Sequence, residues 1–211
     1  MGSGEVIMDA EKEKSLVDLI DLNNIIEKCL RCYKEFKDYR PELRLKIRRW
    51  YNIGPWFFPP FGLNENCLVK GFLGTGDTVF VCMRPSTGTF PSPADKLFYK
   101  LIEKNCFQNA HITDLVKCRS RVKIEKRTEE KEVENCFEYL LRELEIIEKP
   151  SLIVAVGDKA YNYLKEKLPQ HYKDKLIKII HYSYAKRWRK EQVLEDNFKR
   201  IRQRYHKSTI I

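Results

Sequence analysis

No run of about eighteen apolar residues interrupts the 211-residue sequence, which excludes a membrane-spanning helix as an organising element. No basic, apolar and small-residue leader precedes the first helical pattern, so the chain reads as soluble and cytoplasmic. A phosphate-cradling glycine loop is also missing, and that leaves a small-molecule phosphate ligand without a sequence argument. Neither internal repeats nor low-complexity segments occur. The seven cysteines are an odd number, which with no secretion signal argues against a secreted disulfide framework, although hyperthermophile cytosols do hold disulfides. The length suits one domain with enough apolar side chains for a real core. Residues 1–8 read as a flexible N-terminus or a cloning scar, and residues 9–211 as a single, monomeric domain.

Four cysteines form two groups far apart in the chain: Cys29 and Cys32 as a CxxC pair, and Cys118 and Cys136 around a charged connector over residues 119–133. A fold that joined the groups would present four thiolates to one metal centre, soft donors that suit zinc or an iron–sulfur cluster. Spacing alone does not choose between these. It is equally compatible with seven small core residues kept reduced in a cytosol. Cys67, Cys82 and Cys106 stand singly, and Cys82, inside an apolar run, is expected in the core.

Forty Lys plus Arg against thirty Asp plus Glu give a net charge of +10. Such a charge attracts polyanions and makes nucleic acid the leading partner class; its rival is the heavily charged surface of a thermophile protein. Basic residues crowd two stretches. Arg44, Lys46, Arg48 and Arg49 precede Trp50 and Tyr51, while Lys186, Arg187, Arg189 and Lys190 surround Trp188, followed by Lys199, Arg200, Arg202 and Arg204. Basic residues interleaved with aromatics are a nucleic-acid signature.

Leu16, Leu19, Ile20, Ile26 and Leu30 recur at helical spacing, so residues 9–34 are predicted to form an amphipathic helix that delivers the CxxC at its end. Residues 52–76, with Gly54, Pro55, Trp56, Phe57, Phe58, Pro59 and Pro60, form a long aromatic and glycine-rich loop, packed on the core or lining a groove. Beyond it, short β-branched runs at 79–83, 111–116, 152–156 and 177–180 alternate with helical patterns at 93–105, 129–147 and 158–168. That alternation signals an α/β fold, a mostly parallel four-stranded sheet covered by helices. Ligands of such sheets sit beyond the carboxyl ends of the strands. The four ends carry Met83-Arg84-Pro85-Ser86, Asp114, Gly157-Asp158, and His181-Tyr182-Ser183-Tyr184 with Lys186 and Arg187. Together they suit a polar planar group attached to a phosphate backbone.

The run Ala110-His111-Ile112-Thr113-Asp114-Leu115-Val116-Lys117-Cys118-Arg119, followed by Cys136, resembles the segment of family-four-type uracil-DNA glycosylases that carries a base-reading Asn and two cluster cysteines. Leu152 to Ala160 resembles their third strand and the turn into its helix. His181-Tyr182-Ser183 with Arg187 is similar to their His-Pro-Ser loop, and Val81 to Ser86 stands where their Gly-Glu-x-Pro-Gly turn would be. The resemblance covers residues 25–190. It implies a three-layer α/β/α sandwich with an N-terminal helical extension, and base excision from DNA. It implies a structural [4Fe–4S] cluster on Cys29, Cys32, Cys118 and Cys136, with zinc as the lesser alternative. Phe90 would stack on an extruded base, within a base-binding set of Met83, Arg84, Pro85, Ser86, Phe90 and Asp114. His181 would stabilise charge on the leaving base, with Asp114 as the second catalytic residue. Tyr182, Ser183, Tyr184, Lys186 and Arg187 would press on the DNA strand.

Two departures redirect the expectation. Asp114 replaces the Asn, and an ionised carboxylate only accepts hydrogen bonds, whereas an amide both donates and accepts. An amino-bearing base, or water orientation by Asp114, are the consequences. Met83 stands where the family turn carries Glu, and a thioether cannot act as a base. Two functions follow: a glycosylase for uracil or another deaminated base, or a catalytically weak DNA-binding member of the same fold.

Overall fold

The computed structural model describes residues 10–27, 29, 31–32, 44–45, 74–84, 92–107, 109–117, 119–120, 129–148 and 150–208. Helix α1 spans Ala10–Glu27. Its buried stripe of Leu16, Leu19, Leu22 and Ile26 follows the spacing read from sequence. The helix ends before the CxxC, and Cys29 follows in a turn whose N–H donates to the Ile26 carbonyl at 3.0 Å. Two-residue strands β1 (Arg44–Leu45) and β4 (Arg119–Ser120) pair antiparallel, a contact without sequence signal because each strand is too short for a period.

The main sheet holds β2 (Thr78–Cys82), β3 (His111–Asp114), β5 (Leu152–Val156) and β6 (Leu176–Ile179). All pairings are parallel, and the order is β3-β2-β5-β6. Helix α2 (Pro93–Lys104) links β2 to β3, α3 (Glu129–Ile146) leads to β5, and α4 (Asp158–Lys167) with the short α5 (Gln170–Lys173) leads to β6. Helices α6 (Tyr182–Arg187) and α7 (Glu191–Ser208) complete the chain. Because β3 lies on one side of β2 and β5 on the other, the connections diverge, opening a crevice beyond the carboxyl ends of β2 and β5.

Two apolar layers sandwich the sheet. On one face Val79, Val81, Ile153 and Ala155 pack against α1, α3 and α4; on the other Phe80, Cys82, Ile112, Val154 and Val156 pack against α2, α6 and α7. This alternation is the period of two that strand geometry dictates. The second layer is aromatic. Phe80 meets Phe98 edge-on with centroids 5.6 Å apart and stacks on Phe198 at 5.8 Å, contacts that add about 0.5–1.5 kcal/mol each beyond buried area. Gly74 sits where the chain enters this sheet beside the start of β3: a Cβ there would lie 2.3 Å from the Ala110 carbonyl oxygen, so no larger residue fits.

The basic run of α7, read from sequence as a nucleic-acid patch, has a structural part. Strand β6 is an edge strand whose outward carbonyls at 176 and 178, with that of Asp174 just before it, would be left bare. Arg204 donates to the carbonyls of Asp174 (2.7 Å) and Leu176 (3.4 Å), and Arg200 to that of Lys178 (2.7 Å). Asn197 accepts the Ile180 N–H at 2.9 Å. Helix α7 therefore closes an edge that would otherwise template pairing with another chain.

Candidate active site at the carboxyl edge

Asp114 ends β3 and His181 follows β6, so they stand at opposite ends of one sheet edge with β2 and β5 between them. At roughly 4.8 Å per strand the backbones of β3 and β6 are about 14 Å apart. Pro85, Ser86 and Phe90 lie outside the described residues.

His181 is the most constrained of the site residues. It caps α6, and its Nδ1 accepts the Ser183 N–H at 3.1 Å. A neutral imidazole that accepts at Nδ1 carries its proton on Nε2, so the ring is set as a hydrogen-bond donor through that atom. Its plane stacks on Tyr182 at 4.5 Å, and Tyr182 stacks in turn on Phe98 of α2 at 4.7 Å. Behind the ring lies Gly157, at φ 95°, where a Cβ would come within 3.2 Å of His181 Cβ. The tight turn from β5 into α4 thus serves both the backbone conformation and the seating of the histidine.

Tyr182, expected against a DNA strand, is 6 % exposed and packs in the core, with Ala185 beside it on the inward side of a one-turn helix. Ser183, Tyr184, Lys186 and Arg187 lie on the outer side.

In the turn after β2, Met83 packs into the layer of α1 and α3. Arg84 is ion-paired: it donates to Glu129 at 2.9 Å and Glu132 at 3.0 Å, and Lys159 reaches Glu129 at 3.1 Å. Two cations and two carboxylates therefore link the turn after β2 to α3 and α4. Asp114, paired in register with Cys82, is fully buried and by strand alternation faces the layer of α2.

Sequence reasoning missed a buried polar cluster beside it. Lys117 Nζ lies 2.6 Å from both Glu143 Oε2 and Thr113 Oγ1, Thr113 donates to Glu143 at 2.9 Å, and His111 Nε2 is 3.9 Å from the same carboxylate. Burial pushes the Glu143 carboxyl up, but the Lys117 charge and the His111 imidazole outweigh this and hold it below the ordinary range. The cluster pins the end of β3, and so Asp114, to α3.

The same segment leads to the cysteines. The Lys117 N–H points at Cys136 Sγ (3.5 Å), and Asn135 Nδ2 donates to Cys32 Sγ (3.4 Å). Arg31, inside the CxxC, pairs with Glu138 at 2.7 Å, donates to the Asn135 carbonyl at 3.3 Å, and lies 4.6 Å over the Tyr139 ring. Burial and a hydrogen bond with Cys29 push the Tyr139 phenol up. One turn of α3, residues 135–139, thus collects Cys29, Cys32 and Cys136. Cys118 lies outside the described residues, and among those described no three His, Cys, Asp or Glu stand close enough to hold a metal. The donor chemistry still fits a thiolate-bound group, since N–H donors directed at sulfur are the contacts that ligating thiolates receive.

A cavity of about 490 Å³ lies at the other, amino edge, lined by Ser15, Thr75, Asp77, Asn109 and Tyr205 among others. It contains none of the site residues read from the sequence. No helix among the described residues is long and apolar enough to cross a membrane.

No curated protein matches the chain. The family model described as the uracil DNA glycosylase superfamily matches residues 78–206, from β2 through most of α7 and across every strand end discussed above. The chain therefore belongs to the uracil DNA glycosylase superfamily.

Proposed function

We propose that the protein is a DNA glycosylase that extrudes a deaminated base from DNA and hydrolyses its N-glycosidic bond. The observation that carries this reading is His181, whose Nδ1 is occupied by the Ser183 N–H and whose Nε2–H is thereby committed to donate. Cleaving the bond leaves an oxocarbenium-like sugar and an anionic base, and a fixed donor aimed at the developing charge is the largest stabilisation such a site supplies. The base must leave the stack to reach it.

Asp114 supplies the selectivity. A buried carboxylate accepts from a base N–H but opposes a carbonyl such as uracil O4. Restoring the amide therefore has a defined outcome. Asp114→Asn raises the rate of uracil excision about tenfold or more, the worth of exchanging one opposed polar contact for a hydrogen bond. Alkaline cleavage of labelled strands bearing uracil, hypoxanthine or xanthine measures it, and an unchanged base preference would contradict the role given to Asp114.

A second reading has its own support. Met83 is in the core and Arg84 is ion-paired, so positions 83 and 84 offer no general base, and a member that binds DNA without cutting it is favoured by that loss. DNA binding with no abasic sites on any substrate is its signature.

Cys29, Cys32, Cys118 and Cys136 would hold a [4Fe–4S] cluster, which supplies a structural cross-link between the CxxC and α3 and no part of the bond cleavage. Protein purified without oxygen then carries iron and acid-labile sulfide; zinc in their place would contradict the cluster.

A further inference from the structure

The cavity at the amino edge, about 490 Å³, falls within the size range of small-ligand sites, roughly 300–1,000 Å³. It wraps round the start of β2. Glu11 and Glu148 reach it from α1 and the end of α3 on one face of the sheet, Phe107 and Tyr205 from the ends of α2 and α7 on the other, and Asp77 stands between them. Backbone hydrogen bonds fix its floor: the Gly76 N–H donates to the Asn109 carbonyl at 2.7 Å, and the Asp77 carbonyl accepts the Ser151 N–H at 2.8 Å. Thr78, on the wall, is 3 % exposed, yet its Oγ1 has no hydrogen-bond partner among the described residues. Strand alternation puts Thr78 on the face of Phe80, where Phe107 and Tyr205 also pack. A buried hydroxyl without a partner costs stability, so one kept at a cavity wall points to a bound group that supplies the missing bond.

The electrostatics give the sign of that group. Among the described residues of the wall, three acids, Glu11, Asp77 and Glu148, stand against one cation, Lys12. Helices α2 and α3 both end here, at Lys104 and Ile146, and a helix C-terminus carries about half a negative charge. The N-terminal turn of α1 brings the opposite sign, which its own Glu11 offsets. Burial, and then the Asp77 carboxylate, push the Tyr205 phenol up, so acid and ring stand together. Tyr205 meets Phe107 edge-on at 5.9 Å, and aromatic rings beside carboxylates suit organic ammonium groups. In a chain of net charge +10 the cavity is a local reversal of sign. Its acids are spread along the sheet edge and form no metal-holding group among the described residues, an arrangement that fits an elongated cation. We infer that the amino-edge cavity binds an aliphatic polyamine, with its ammonium groups on Glu11, Asp77 and Glu148 and an N–H on Thr78 Oγ1. Several ammonium groups satisfy acids placed apart, which a single one does not. Bound there, the polyamine ties α1 and α3 to α7 across the start of β2. The inference is independent of the glycosylase reading.

Isothermal titration calorimetry of the full chain with spermidine tests it, with Nα-acetyl-lysine amide as the single-ammonium comparison. Spermidine is expected to bind one to one and about tenfold or more tighter than the lysine amide. Glu148→Gln, at an exposed position of the rim, weakens spermidine about tenfold, the worth of one hydrogen bond to a charged group. Thr78→Val weakens it about fivefold while the melting temperature of the protein without spermidine stays level or rises, a combination that a threonine with only a structural role does not give. Glu134→Gln, an exposed acid of α3 outside the cavity wall, leaves the affinity unchanged. Absence of binding heat, equal affinity for the two probes, or equal weakening by Glu134→Gln and Glu148→Gln would overturn the proposal.

Discussion

Replacing His181 with Ala lowers the rate of base excision by about 10²–10³, the usual consequence of removing one donor from a site where charge develops. The structural cost is smaller. His181 caps a one-turn helix through Nδ1 and stacks on Tyr182, and loss of a cap costs about 1 kcal/mol. A tenfold change in rate corresponds to about 1.4 kcal/mol, so the kinetic loss exceeds anything the lost cap explains. Single-turnover excision and thermal melting on the same preparation separate the two. A rate within threefold of the original would remove His181 from the chemistry.

Glu143→Ala has the largest effect on stability. Glu143 and Lys117 are both almost fully buried and 2.6 Å apart, so removing the carboxylate strands an ammonium among Thr113, His111 and apolar side chains. Breaking such a pair costs about 3–5 kcal/mol, whereas exchanging both partners for apolar residues of similar volume is often neutral. Glu143→Leu with Lys117→Met should therefore recover most of what Glu143→Ala loses, as chemical denaturation would show. A loss under 1 kcal/mol for Glu143→Ala would mean that Lys117 finds another partner. Acid acts in the same direction. The carboxyl is held below its ordinary value in the folded state, so its contribution is complete above the ordinary glutamate range and is lost as pH falls through the native value.

The fold was legible because strands buried on both faces leave continuous apolar runs, as in Leu152 to Val156, and because helix α3 shows an apolar stripe. The strand ends were equally legible as positions, each falling within about two residues of the end of its apolar run. Tyr182 was not, because on a one-turn helix the inward position depends on which residue caps it, and His181 rather than Tyr182 does. The partners of Arg84 were illegible for a different reason: Glu129 and Glu132 lie 45 and 48 residues away in sequence. Glu143 and Lys117 carried a usable signal. Glu143 interrupts the stripe of Cys136, Leu140, Leu144 and Ile147, and Lys117 ends the apolar run of β3. Opposite charges set into two apolar segments near each other in the chain are the sequence mark of a buried pair. The α7 arginines had no such mark, because a carbonyl on an edge strand is invisible in side-chain patterns.

In the proposed function the carboxyl edge, with His181 as donor and Asp114 as reader, cleaves a base from DNA. Incubating the unaltered protein with labelled single strands and duplexes bearing uracil, hypoxanthine, xanthine or ordinary bases, then cleaving with alkali, tests it most directly. Abasic sites are expected at a deaminated base and none at ordinary bases, with uracil improved by Asp114→Asn. Binding to every strand with no abasic site on any of them would contradict it.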